Sequence, residues 1–201
     1  MIPEYAAIKN RLEQEAVVHY DESPWYVSKT EQGDYGWLKT GIYKMSELLF
    51  ILGRSRGKGN ALELLGKPNG TIIGGQVAVT DDYGAYKNIF ERHQLCWAHP
   101  LRKFRDLKDS PSLTKEQIPT CTKMYTGFAN LYQELSTLLL EENNHHMNTG
   151  IWREDRIKKK EVKLRKIFRS IAVIHPKDPK KLQTLKTSLG KNEESYFTCM
   201  S

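Results

Sequence analysis

Apolar residues recur in this chain with two different periods, and the change from one to the other partway along limits the folds open to it. Up to about residue 108 they come in short runs: Ala16 to Tyr20, Trp25 to Ser28, Gly36 to Ile42, and Val77 to Thr80. Runs of that length, bounded by turn residues, predict strands. Leu48 to Leu52 (LLFIL) is continuously apolar, as a strand or helix segment buried on both faces would be. The turn-rich EQGD at 31 to 34 predicts a hairpin between the second and third runs. GRSRGKG (53 to 59) reads as a loop, NALELLG (60 to 66) as a short helix closed by Gly66, and Tyr86 to Phe90 as helical. Gln94 to Trp97 suits one more short strand, and Ala98 to Lys108 a helix.

Beyond that point the apolar steps become four and three. Met124, Phe128, Leu131, Leu135 and Leu138 mark one amphipathic helix, broken by EENNHHMNTG at 141 to 150, where His145 and His146 read as solvated loop residues. Ile157, Leu164, Phe168 and Ile171 mark a second, ended by Pro176 and Pro179; Leu182, Leu185 and Leu189 mark a third before Gly190. The expected architecture is therefore an α/β part over residues 1–108 and a mostly α-helical part over 109–201.

The charge follows this division. The chain carries a net +7, yet residues 151–181 hold 12 Lys and Arg against 4 Asp and Glu, so the remainder is at −1. Lys158, Lys159, Lys163, Lys166 and Arg169 fall largely on the outer face of the second helix. Such a concentrated positive surface suits a polyanion such as DNA or RNA, with a merely solvated helix face as the alternative. Three widely spaced cysteines (Cys96, Cys121, Cys199) argue against a disulfide framework and suit a reducing cytosol. With no stretch long enough to span a membrane and no signal-peptide pattern in MIPEYAAIKN, a cytoplasmic protein is expected.

Two acids stand at equivalent places: Asp21 and Asp81 each follow an apolar strand run. Taken singly, each suits a turn or a helix cap. On neighbouring strands of one sheet they would converge at one edge and repel unless a cation lay between them. Mg²⁺, which prefers hard oxygen ligands and is held by one or two carboxylates plus substrate phosphates, is the natural candidate.

The wording around both acids, YDESPW at 20 to 25, VTDDYGAY at 79 to 86 and CWAHPLRKF at 96 to 104, resembles the DDE transposases of the insertion-sequence 66 type. The likeness is good over about residues 12–108 and looser beyond. It implies a ribonuclease H-like mixed sheet flanked by helices, with Asp21 and Asp81 as the first two catalytic, metal-holding aspartates. Mg²⁺ or Mn²⁺ is then the expected cofactor and DNA the partner, with two-metal in-line cutting and joining of phosphodiesters as the chemistry. Asp82 stands where the family more often has Gly and is taken as a neighbour of the site; Ser23 replaces the usual Thr. Cys96 and His99 match the family's Cys-x-x-His and are taken as packing and hydrogen-bonding support. Two such ligands cannot complete a four-coordinate zinc site, which leaves metal ligation a lesser alternative. Arg54, Arg56 and Lys58 in the glycine-rich loop, with Arg102 and Lys103, join the five cations of the basic helix as candidate DNA contacts.

The resemblance also calls for a third acid, a Glu in an Asn-Asn...Glu-Arg segment. Asn143 and Asn144 are adjacent, but Met147 and Asn148 stand where Glu-Arg is needed; Glu193 and Glu194 precede the expected position and lack its motif. The expectation is a truncated catalytic core, inactive alone. The alternative is a non-catalytic DNA-binding or assembly remnant, associating with itself or with a full-length transposase.

Overall fold

The structure, a computed structural model, describes residues 3–26, 35–43, 47–53, 58–59, 62, 67, 70–86 and 88–200. The chain divides into two compact units, Met1–Cys96 and Trp97–Ser201. The helix at 98–108, grouped by sequence with the strands, belongs to the second.

The first unit opens with a helix the sequence reading did not anticipate, α1 (Pro3–Gln14). Five strands follow: β1 (Val17–Tyr26), β2 (Tyr35–Tyr43), β3 (Glu47–Gly53), β4 (Ile73–Thr80) and β5 (Phe90–Leu95). They form one mixed sheet in the order β3-β2-β1-β4-β5, antiparallel from β1 through β3 and parallel from β1 to β4 to β5. The predicted hairpin pairing is present, with Trp25 opposite Gly36 and Tyr26 opposite Tyr35; its turn lies outside the described residues. Leu48 to Leu52 is a strand at the sheet's edge, which decides the strand-or-helix ambiguity. Most of the GRSRGKG and NALELLG segments lies outside the described residues, including Arg54 and Arg56.

Two expectations in this unit are corrected. Ala16 to Tyr20 and Trp25 to Ser28 are not two strands, because β1 runs unbroken through Asp21 to Tyr26. Its pairing with β4 extends only from Val17 to His19, so the later residues have β2 on one side alone; that leaves room for Pro24, which cannot serve a doubly paired strand. Tyr86 to Phe90 is not a helix. A single 3₁₀ turn at Gly84–Tyr86 leads through Asn88, left-handed at φ 63°, directly into β5.

Alternation along β1 and β4 puts Val18, Tyr20, Gln76, Ala78 and Thr80 on the buried face. Val18, Tyr20 and Ala78 form a core with Leu12 of α1 and with Leu62, Ile73, Tyr86, Ile89 and Phe90, and Tyr5 and Ile8 of α1 pack alongside. Tyr20 stacks on Phe90 at 5.1 Å, and Gln76 Nε2 donates to the Leu12 carbonyl at 2.7 Å, fastening the C-terminal end of α1 to β4.

The second unit contains α2 (Ala98–Lys108), α3 (Ile118–Thr149), α4 (Glu154–Ala172), α5 (Lys180–Lys191) and α6 (Glu193–Phe197). The 141–150 segment does not break α3. It forms the last two turns, and the helix stops at Gly150, whose left-handed φ of 73° lets its N–H bond the His146 carbonyl at 2.7 Å. His145 and His146 are thus half-buried helix residues and not loop residues. α5 likewise continues through Gly190 to Lys191.

The unit's core is aromatic. Trp97 lies 5.4 to 6.1 Å from the rings of Phe128, Tyr132, Phe168, Tyr196 and Phe197, and its Nε1 donates to the Tyr196 carbonyl at 2.8 Å. Ion pairs of two buried acids, Glu142 and Asp178, reinforce it. Glu142, with no exposed side-chain surface, takes two bonds of 2.9 Å from Arg153 and one of 2.6 Å from Arg156. Lys186 donates to Asp178 at 2.7 Å, both side chains being buried.

Candidate functional site

The sheet fixes the relation between the two candidate aspartates. β1 and β4 pair in parallel as Val17 with Val77, Val18 with Ala78 and His19 with Val79, a constant offset of 60 residues. Asp21 and Asp81 share that offset. In a parallel pair, residues at equal register stand side by side about 4.8 Å apart and point to the same face. The face is the one opposite the α1 core, because Val18, Tyr20, Gln76, Ala78 and Thr80 are buried while Val17, His19, Asp21, Val77 and Val79 between them are exposed or half-buried. Asp81 follows the last residue of β4, as its sequence suggested. Asp21 does not end its strand; it stands two residues past the last β4 pairing, where one side of β1 has become an edge.

The backbone around Asp81 is held from several directions. Its Oδ1 accepts the Tyr83 N–H at 3.0 Å, closing a turn directly after the strand. On the buried face, the Thr80 hydroxyl donates to the Asp81 carbonyl at 2.6 Å and lies 2.7 Å from His93 Nε2. A hydroxyl has one proton to give, so this network assigns the second proton to His93, as an Nε2–H donating to Thr80. Thr80 and His93 are supports that the sequence did not single out. Thr80 shows only as a strand-end Thr before an Asp, and His93 carries no sequence signal for this contact.

Cys96 is half-buried, and its N–H donates to the Thr80 carbonyl at 2.8 Å, one residue from Asp81. This places it beside the end of β4 as backbone support. Its neighbour Trp97 accounts for another letter of the same motif as the centre of the helical core. His99 lies in the first turn of α2, in the second unit. Among the described residues, no three His, Cys, Asp or Glu side chains gather as a metal-holding group.

The candidate cations scatter. Lys58 Nζ donates to the Asn88 carbonyl at 3.4 Å in the first unit. Arg102 and Lys103 are exposed on α2. On α4 the five predicted cations are all exposed, but Lys158 pairs with Glu154, Lys163 with Glu134 at 2.8 Å and Arg169 with Glu193 at 2.9 Å. Lys159, Lys160 and Lys166 carry no ion pair among the described residues. Arg165 holds both Glu193 and Glu194, so the two acids nearest the C-terminal end of the sequence are engaged within the helical unit.

A unit built on a mixed sheet, with one aspartate two residues beyond the last β1–β4 pair on either chain segment, and a second, mostly helical unit make this an α/β protein. The model of a protein family described as "Transposase IS66 family" matches residues 1–193. The chain belongs to the IS66 family of transposases, and that membership implies DNA as its partner. No curated protein matches it. No helix among the described residues is long and apolar enough to cross a membrane.

Proposed function

We propose that Asp21 and Asp81 are the first two acids of a DDE-type transposase site, in a unit of ribonuclease H-like form. The observation that carries this reading is that each aspartate stands two residues beyond the last pair, His19 with Val79, of the adjacent parallel strands β1 and β4. The strand order β3-β2-β1-β4-β5, with a meander antiparallel to one side and parallel strands to the other, supports it.

The donor set fits a hard divalent ion. Two carboxylates with DNA phosphate oxygens make an all-oxygen environment, which suits Mg²⁺ or Mn²⁺ and not zinc. Such an ion, when bound, supplies Lewis-acid polarisation of a phosphodiester and a nucleophilic water at neutral pH. The protein's own part is placement. β1 and β4 carry the two carboxylates to the same end of the sheet, the Tyr83 N–H fixes Oδ1 of Asp81, and Thr80, His93 and Cys96 hold the strand end beneath it.

The test is Mn²⁺ uptake, followed by electron paramagnetic resonance. The 201-residue chain takes up Mn²⁺, and Asp21→Asn or Asp81→Asn each weaken uptake by tenfold or more; uptake equal to the parent's in both variants refutes the assignment. A second reading, a module that binds DNA or joins a full-length transposase without cutting, is favoured by the engagement of Glu193 and Glu194 with Arg165 and by the lack of a third acidic ligand among the described residues. On this reading, and on that of a core inactive alone, residues 1–201 leave a supercoiled plasmid intact with Mn²⁺. Nicking abolished by Asp21→Asn would overturn both.

A further inference from the structure

We infer that the elbow between α3 and α4 is a binding site for unpaired nucleotides, with Trp152 as the surface on which a base stacks. The inference rests on the reading that the protein handles DNA, and goes beyond it in naming the form of DNA and the residues. A groove of about 890 Å³ opens at this elbow, within the size range of sites that hold small organic ligands. Trp152 lines it and is 45% exposed, beside Ile151 at 60%.

An exposed indole needs a reason, and here it is held in place. One side stacks on His146 at 4.7 Å, with the rings 16° from parallel. The base of the elbow is equally fixed, since Arg153 and Arg156 are clamped by the buried Glu142. A ring already immobilised loses little entropy when a second ring stacks on it.

Along the adjoining wall Lys159 and Lys160 line the same groove without ion pairs among the described residues, and Lys163 extends the row. Glu154 and Asp155, in the first turn of α4, line the groove as well. A phosphate chain is drawn to the lysines and repelled by the two acids. An aromatic platform flanked by cations is the means by which proteins hold single strands without reading their sequence. A duplex, whose bases are already stacked on one another, offers no face to Trp152.

The experiment compares the parent chain with Trp152→Leu and Trp152→Phe, using fluorescence anisotropy of a labelled oligothymidylate, an abasic oligomer of equal length and a duplex, all in EDTA. Expected is tighter binding of the oligothymidylate than of the abasic strand, and a loss of about 5- to 150-fold in Trp152→Leu, the range for one stacked base. Trp152→Phe should restore most of that loss, which a merely structural defect would not allow. Equal binding of the abasic and base-bearing strands, or unchanged binding in Trp152→Leu, overturns the proposal, as does an absence of single-strand binding by the parent. Strand binding is read without metal and Mn²⁺ uptake without DNA, so failure of this site and failure of the aspartate assignment are separate results.

Discussion

Asp81 holds its turn with one oxygen and presents a charge with its carboxylate as a whole, and the two roles can be separated by substitution. Asn keeps an acceptor for the Tyr83 N–H while removing the charge, so Asp81→Asn should change stability by no more than about 0.5 kcal/mol while losing metal. Asp81→Ala should lose metal and also about 0.5–1.5 kcal/mol of stability with the missing hydrogen bond. Chemical denaturation of both variants checks the difference. Thr80→Val is a sharper probe of the support beneath, because it leaves the His93 N–H without its acceptor; a loss of about 1–3 kcal/mol is expected. The strand-end position of Asp81 was legible because it follows a recognisable apolar run, whereas that of Asp21 was not, because β1 continues past it. Thr80 and His93 were not legible either, because their contact joins neighbouring strands and neither residue signals it locally.

Among the elements, the strand that carries Asp81 has an irregularity of its own. The β4–β5 register shifts between Ile73 and Val77, and Gly75 within that stretch is left-handed at φ 77°, a bulge that only glycine adopts without strain. Gly75→Ala should cost about 1–2 kcal/mol, although the space around it is open; a thermal melt reads the loss. The helices were legible where the steps of three and four persist, as in α4 and α5. The sequence misled at 141–150, where adjacent Asn and His residues mimic a loop. What sustains the helix there is Glu142, an acid turned inward to two arginines eleven and fourteen residues on, a long-range pairing invisible to periodicity. The hydrogen bond from Arg153 holds the Glu142 carboxyl below its ordinary 4.5, against the opposing effect of desolvation. For Asp178, burial pushes upward, but bonds from Lys186 and the His175 N–H outweigh it and hold the group below 3.8. Both folded-state values are depressed, so the stabilisation is whole above the unfolded values and is withdrawn as pH falls below about 4.5 and then 3.8. Helical circular dichroism should therefore decline in acid below that range. Lys186→Met, which strands a buried carboxylate, should destabilise by about 3–5 kcal/mol, and Lys186→Met with Asp178→Leu should recover most of it.

At the scale of the whole molecule, charge is less available than its count suggests. The basic stretch at 151–181 receives partners from outside itself, namely Glu134, Glu141, Glu142, Glu193 and Glu194. If all 12 cations met phosphates, single-strand affinity would fall with a log–log salt slope of about −8; the six without ion pairs among the described residues, Lys159, Lys160, Lys166, Lys177, Lys180 and Lys181, give about −4. A titration of binding against salt distinguishes these values directly. Composition located the charge correctly, but only the folded arrangement shows how much of it is already spoken for. A different kind of consequence follows from the offset of 60 between β1 and β4. The alignment of the two strands is maintained by the hydrogen bonds between them, whereas the count of 60 is set by the chain in between, which passes through β2, β3 and the stretch before β4. That intervening chain can lengthen or shorten among relatives without moving either aspartate. A search for such proteins by a fixed count between the two acids would therefore pass over family members that a comparison of strand pairing would find.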